Sequence, residues 1–366
     1  MAALKDLYSP AFYKKLSDVI SVIVPSFNKQ RFISQIFSDD FSNKELKARM
    51  RHTSVILHAF LPSDYKKTVR ILEKLIVELR KRGIGEDGLA YMFIPDYIEM
   101  YGIDDFETSM KAIEFITQFV SCEFAVRPFL LRYGSEMMSQ MKLWSVHENF
   151  KVRRLASEGS RPRLPWAMAI PELKKEPAEL LPILENLKND PSEWVRRSVA
   201  NNLNDIAKDH PEWVIRLAGE WKGGSKETDA IIKHGSRTLL KKGHAEILHH
   251  YGLKSKDIHI AAFKIITPSV KIGGQVAFSF LISNLSSKKQ TIRLEYGLYY
   301  KKANGLLAKK VFKISEKAYL PGVRTTVERR QSFKKITTRK FYPGKHQLSI
   351  IVNGEEKVLK SFTVEA

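Results

Sequence analysis

SEWVRRSVANNLNDIAKDHPEWV, from Ser192 to Val214, is the stretch on which the fold turns. Asp190-Pro191 opens it, and Val195, Val199, Leu203 and Ile206 recur at helical spacing, which puts them on one buried face. Two earlier stretches run in parallel with it: EFAVRPFLLRY from Glu123 and NFKVRRLASEG from Asn149. Each carries Val-Arg near a helix start, followed by small or apolar residues. A unit that recurs and cannot bury its own apolar face must stack on its neighbours, which predicts helical pairs wound into a solenoid with a concave surface. An irregular helical bundle is the alternative, because the first hundred residues show no clear repeat.

Outward from this stretch, helical spacing extends back to the N-terminus. In SDYKKTVRILEKLIVELRKRG, Val69, Leu72, Leu75, Ile76 and Leu79 share a face, with Ser63 as the expected cap and Gly83 as the stop. Similar helices are expected over Pro10–Ile23, Lys29–Phe37, Asn43–Phe60 and Thr108–Phe119. After His250 the texture changes. HIAAFKII, QVAFSFLIS, TIRLEYGLYY, KKVFKIS, TTVERRQSF and HQLSIIV are rich in β-branched and aromatic residues. Turn signals separate them: Gly273-Gly274, Ser286-Ser287, Asn304-Gly305, Pro321-Gly322, Pro343-Gly344 and Asn353-Gly354. Asn-Gly favours a type I′ hairpin. The division is therefore a helical domain over 1–253 and a β-domain over 254–366, the latter an immunoglobulin-type sandwich without its disulfide or, alternatively, a small open barrel.

The 366 residues are 43% apolar and 28% charged, enough for a sizeable core. No run approaches the roughly 18 apolar residues of a membrane span, and MAALKDLYSPAFYKK lacks a signal-peptide core. The expected place is the cytoplasm. A single cysteine, Cys122, excludes an internal disulfide and a Cys-based zinc site. His244, His249 and His250 come without a ligand set, so no metal is expected, and the absence of a GxGxxG or Walker sequence leaves no cofactor implied. Net charge is +21, which favours a polyanion, nucleic acid ahead of a membrane surface. From Lys256 onward there are 22 Lys and Arg against 7 Asp and Glu, leaving 39 against 33 before it. The β-domain is the strongly basic part.

The most unusual run is RRLASEGSRPRLPW, Arg153–Trp166, a helix end followed by a loop dense in Arg and Pro. Arg154 and Glu158 stand four apart and can pair, and Gly159 suits the helix C-terminus. Trp166 can present an indole face to a cationic ring. Spacing alone equally allows a surface ion pair and a packed tryptophan. Extended to VRRLASEGSRPRLPW, and taken with WVRRSVANNLNDIAKDHP and the layout of helices then sandwich, this run resembles the AlkC branch of the AlkC/AlkD DNA glycosylases over essentially the whole chain.

That resemblance implies a HEAT-like helical superhelix holding duplex DNA, hydrolysis of the N-glycosidic bond of 3-methyladenine and 3-methylcytosine, and reaction without base flipping. It also implies pocket carboxylates at Glu158, Asp205 and Glu123. Aligning Val152-Arg153 with Val195-Arg196 sets Glu158 opposite Asn201, with Asp205 one turn beyond, so both are expected on the concave groove. The chemistry suits carboxylates: a base alkylated at a ring nitrogen leaves neutral without a general acid, and what remains is an oxocarbenium-like sugar and a water to orient. No Schiff-base lysine is required, so the enzyme is expected to lack lyase activity. Trp166 and Arg154 are the expected lesion contacts. Arg127, Arg132, Lys151, Arg153, Arg161, Arg163, Arg196, Arg197, Lys233 and Arg237 are candidate phosphate contacts. Lys301-Lys302, Lys309-Lys310, Arg329-Arg330, Lys334-Lys335 and Arg339-Lys340 are candidates for a clamp on the duplex. A monomer that wraps DNA alone is expected. A non-catalytic DNA or RNA binder and a protein scaffold are the rival readings.

Overall fold

The structure, a computed structural model, describes residues 3–37, 40–84, 88–334 and 340–366, so Lys335 and Arg339 lie outside the described residues. Its helices are α1 (Pro10–Ile23), α2 (Lys29–Ile36), α3 (Leu46–His58), α4 (Tyr65–Lys81), α5 (Phe93–Tyr101), α6 (Phe106–Thr117), α7 (Val126–Trp144) and α8 (Phe150–Gly159). There follow α9 (Pro171–Lys175), α10 (Leu181–Leu187), α11 (Glu193–Ile206), α12 (Pro211–Trp221), α13 (Lys226–Gly235), α14 (Arg237–Lys242) and α15 (Ala245–His250). The strands are β1 (Ile258–Ile265), β2 (Ser269–Lys271), β3 (Gln275–Asn284), β4 (Gln290–Lys301), β5 (Leu307–Tyr319), β6 (Arg324–Ser332), β7 (Gly344–Val352) and β8 (Glu355–Glu365). Two compact units emerge, Met1–Asp209 with Lys222–Gly235, and His210–Trp221 with Ser236–Ala366. The sequence boundary at 253/254 marks the change from helix to strand; α12, α14 and α15 precede it but group with the strands.

In the first unit the amphipathic spacing does what it dictates. Val69, Leu72, Leu75, Ile76 and Leu79 of α4 are buried, and α4 is capped by Asp64, whose carboxylate accepts from Lys67 N at 3.0 Å. The expected cap, Ser63, lies one residue too early to reach that amide. Helix α3 starts at Leu46 rather than Asn43, after a short 3₁₀ turn at Phe41–Asn43. In α11, Val195, Val199, Leu203 and Ile206 are all buried, and α11 packs between α8 and α13. Two glycines allow close helix packing, Gly159 that of α8 on α7 and Gly235 that of α13 on α11. A Cβ on Gly159 would lie 2.6 Å from Val126 Cγ2, and one on Gly235 would lie 2.8 Å from Leu203 Cβ, closer than carbon atoms approach.

In the second unit β1, β3 and β6 form a three-stranded antiparallel sheet, and the order β2-β8-β7-β4-β5 forms a five-stranded one in which only β2 and β8 are parallel. Alternation supplies the core: Val276, Phe278, Phe280 and Ile282 of β3 are buried with Ile292, Leu294 and Leu298 of β4 and Leu348, Ile350 and Val352 of β7. This is the expected immunoglobulin-like sandwich. Asn353 (φ +48°) and Gly354 (φ +81°) both take the left-handed region, as a type I′ turn needs. At Asn304-Gly305 only the glycine does so, and Lys302 N donates to Leu306 O across a longer loop, so no type I′ turn forms there. Gly273-Gly274 joins β2 to β3 in different sheets instead of closing a hairpin.

Candidate active site

The site is assembled where α7, α8 and the loop after α8 meet α11. Asn149 caps α8 by accepting from Lys151 N at 2.9 Å, and Val152, Leu155 and Ala156 bury its apolar face. The chain then leaves the helix at Gly159 and enters the Arg-Pro loop. Arg127 of α7, wholly buried, donates to the carbonyls of Gly159 (2.9 Å), Arg161 (2.6 Å) and Met168 (2.8 and 2.6 Å). Burial, reinforced by the nearby Arg161, pulls its guanidinium down to about 10. Arg127 is thus a staple for the loop. It cannot serve as the expected phosphate contact, because its donors face inward to backbone oxygens.

The loop delivers Arg161 between two carboxylates. Arg161 Nη1 lies 2.6 Å from Glu158 Oε1, while its Nη2 and Nε lie 2.8 and 2.9 Å from Asp205 Oδ2. Burial works against this cation, but Glu158 and Asp205 together hold its pKa above the ordinary value. The pairing continues on both sides. Arg154 Nη1 sits 3.0 Å from Glu123 Oε2 and its Nη2 4.0 Å from Glu158 Oε2, and Lys208 Nζ sits 2.8 Å from Asp205 Oδ1. Ser121 Oγ donates to Glu123 at 2.9 Å. The order Glu123, Arg154, Glu158, Arg161, Asp205, Lys208 therefore alternates in sign, and all three carboxylates expected from the sequence belong to one array. The depth differs from the expectation of a shared groove: side-chain exposure falls from 19% at Glu123 to 7% at Glu158 and 2% at Asp205. Arg161 covers Asp205, so Arg161 too is unavailable to phosphate.

A cleft of about 260 Å³ opens on this array, lined by Arg154 and Glu158 on one side and by Glu193, Trp194, Arg197, Ser198 and Asn201 of α11 on the other. Trp194 is 61% exposed. It was not singled out in the sequence, yet the signal is there: it stands one residue before Val195, off the apolar face, where a core tryptophan has no reason to be. A second cleft of about 360 Å³ between α11 and α13 shares Glu193 and Arg197 and adds Arg196, Lys226 and His234. Trp166 lies outside both. It is 64% exposed, takes the left-handed region at φ +64°, and borders a small depression with Lys47, Met50 and Phe124.

The remaining cations divide sharply. Arg153 grips Asp190 with Nε at 2.6 Å and Nη2 at 3.1 Å and donates to the His147 and Glu148 carbonyls, which ties α8 to the start of α11 and removes it from the phosphate contacts. Arg163 is forked onto Asp209 at 2.6 and 3.0 Å, and Arg132 pairs with Asp104 at 2.5 Å. Arg196 donates to the Asp190 and Pro191 carbonyls at 2.8 Å while still lining the second cleft. Arg197 and Lys233 are exposed; Lys151 and Arg237 are half-buried. In the second unit Lys309 is paired with Glu356, and Lys310 lies 5.1 Å over the Phe312 ring, both exposed. Among the described residues, no three His, Cys, Asp or Glu side chains are grouped to hold a metal.

Comparison with known proteins shows the family to which this chain belongs. Residues 64–223 match the family described as DNA alkylation repair enzyme, and residues 259–366 match the family described as the C-terminal Ig-like domain of uncharacterised protein YhaZ. The chain is 43% identical over 365 residues to uncharacterized protein YhaZ of Bacillus subtilis (strain 168), spanning the whole of both. It is 35% identical, again over the whole of both chains and with a TM-score of 0.85, to the Pseudomonas fluorescens alkylpurine DNA glycosylase AlkC bound to DNA containing an abasic site analog. The chain belongs to the AlkC branch of the DNA alkylation repair glycosylases, a HEAT-like helical unit followed by an Ig-like domain.

Proposed function

We propose that the protein hydrolyses the N-glycosidic bond of cationic N-alkylated bases, 3-methyladenine and 3-methylcytosine, in duplex DNA, with Glu158 and Asp205 at the centre of the reaction and Glu123 supporting them. The observation that carries this reading is the sign-alternating array with one of its carboxylates, Glu158, on the wall of a cleft. Arg161 engages Oε1 of Glu158, whereas Oε2 has Arg154 at 4.0 Å, beyond hydrogen-bond length, and is the oxygen turned to a developing oxocarbenium or to a water. A fixed carboxylate in a site that excludes water stabilises such a cation far more than it would in bulk solvent. The leaving base needs no proton, so the reaction requires no general acid.

Trp194 presents an indole face to the cationic base or its sugar, and Trp166 and Arg154 contact the lesion. The base is read from the side, without being flipped out of the duplex. Arg196, Arg197, Lys233 and Lys151 contact phosphates, Arg237 is a further phosphate contact, and the lysine-rich strands of the Ig-like domain clamp the duplex. The protein acts as a cytoplasmic monomer. The test is to incubate it with methylated duplex DNA and separate the released bases chromatographically. Free 3-methyladenine or 3-methylcytosine with the abasic strand left intact is the expected result. Strand cleavage by β-elimination would contradict a monofunctional enzyme, and tight salt-sensitive binding with no released base would leave a DNA-binding protein.

A further inference from the structure

Trp166 is held in an unfavourable place by a residue far from it in sequence. A tryptophan at φ +64° is strained, because its Cβ crowds its own carbonyl oxygen, and such a conformation persists only where the surroundings enforce it. Trp166 is 64% exposed, so apolar neighbours such as Met50 and Phe124 cover only part of it. The conformation is set by hydrogen bonds: Ala167 N donates to the Leu164 carbonyl at 3.3 Å, closing a turn with Pro165 second and Trp166 third, and a side chain pins that turn from outside. Lys47 of α3, 119 residues away, donates from Nζ to the Trp166 carbonyl at 2.7 Å. The same ammonium lies 5.2 Å over the ring of Phe124, the neighbour of Glu123. On α5, Asp96 and Glu99 add their field to that of the Arg51 ion pairs one turn along α3, so Lys47 sits in a region of compensated charge. Arg127 secures the carbonyls of Gly159, Arg161 and Met168, and Lys47 adds a side-chain bond at the 164–167 turn between them.

We propose that Lys47 is a positioning residue, which holds the turn that carries Trp166 in place and so aims the indole at the lesion; the catalytic part of this proposal rests on the reading of Trp166 as a lesion contact. A flexible four-carbon stem with a compact charge suits the task, because it reaches across to a single carbonyl oxygen without occupying the indole's face.

The test uses full-length protein labelled with 5-fluorotryptophan, with the Trp166 resonance assigned by its loss in Trp166→Phe. Lys47→Met keeps the stem and removes the donor, whereas Lys47→Arg keeps a donor. The expected result is that Lys47→Met shifts or broadens the Trp166 signal alone and Lys47→Arg restores it. In single-turnover base release, Lys47→Met should lower the rate at saturating enzyme by about tenfold to a hundredfold, with affinity for undamaged duplex unchanged. It should cost nothing more in a Trp166→Ala background. An unmoved Trp166 resonance in Lys47→Met would overturn the positioning role. A moved resonance with normal release in both Lys47→Met and Trp166→Ala would instead overturn the reading of Trp166, and with it the catalytic part of the proposal.

Discussion

The helices around Glu158 and the strands around Lys310 are both rich in cations, and they use them in opposite ways. In the helical unit Arg127, Arg153 and Arg161 are turned inward, onto loop carbonyls, Asp190 and the Glu158–Asp205 pair. On β5 the cations are lysines, and Lys309, Lys310, Lys313 and Lys317 all stay exposed, resting on aromatic rings or on Glu316 and Glu356. The difference follows from the two side chains. A guanidinium offers five donors in a planar fork and can satisfy several buried acceptors at once, whereas an ammonium is strongly hydrated and keeps to the surface. Counting charge along the chain thus overstates the phosphate-binding capacity of the helical unit and describes the β-domain more fairly.

The sharpest way to break this comparison is to exchange one inward arginine and one outward one. Arg161→Met removes the shared partner of two buried carboxylates and is expected to lower unfolding stability by about 3–5 kcal/mol, read in urea denaturation. Arg197→Met, at an exposed position, should stay within about 0.5 kcal/mol of the parent and weaken duplex binding. Equal stabilities for the two variants would mean that the array contributes nothing to the fold. A second test asks whether the outward lysines meet phosphate. Replacing both Lys302 and Lys310 by Ala should reduce the slope of log affinity against log salt by about 0.9 for each contact and leave the melting temperature unchanged, while Arg153→Ala should do the reverse.

The smallest effect sharpens the β-domain itself. His346 is fully buried; burial pulls its imidazole below its ordinary pKa of 6.5, outweighing the hydrogen bond to the Tyr342 carbonyl, which raises it. Because the folded state disfavours the charged form, this contribution to stability is complete above about pH 6.5 and is lost as pH falls through the lower, folded value. His346→Gln should flatten the pH dependence of thermal stability between pH 7 and 5. An unchanged profile would assign the acid response to other groups.

Periodicity carried most of the fold. The faces of α4 and α11 and the alternation of β3 and β7 are as the spacing of apolar residues requires. Two strands escaped it for a physical reason: β2 has three residues, and β8, EEKVLKSFTVE, buries only Phe362 and Val364, so neither shows the dense apolar run that marks a strand. At the site, the three carboxylates and Arg154 were legible through resemblance, and the structure joins them. What could not be read was direction. Arg127 and Arg161 look like groove arginines until the loop after Gly159 turns their forks inward. Trp194 went unmarked because exposure is not written in a residue's type, although its offset from the apolar face was visible. Lys47 had no local signal, since its partner lies in another helix's loop.

The central claim is that the buried array performs the chemistry while other residues hold the duplex. It is tested most directly by measuring base release and duplex affinity side by side for Glu158→Gln and Asp205→Asn, each of which keeps an acceptor for Arg161. The expected result is a fall in release of about a hundredfold to a thousandfold with affinity retained or improved. Release at the parental rate from both variants would contradict the account.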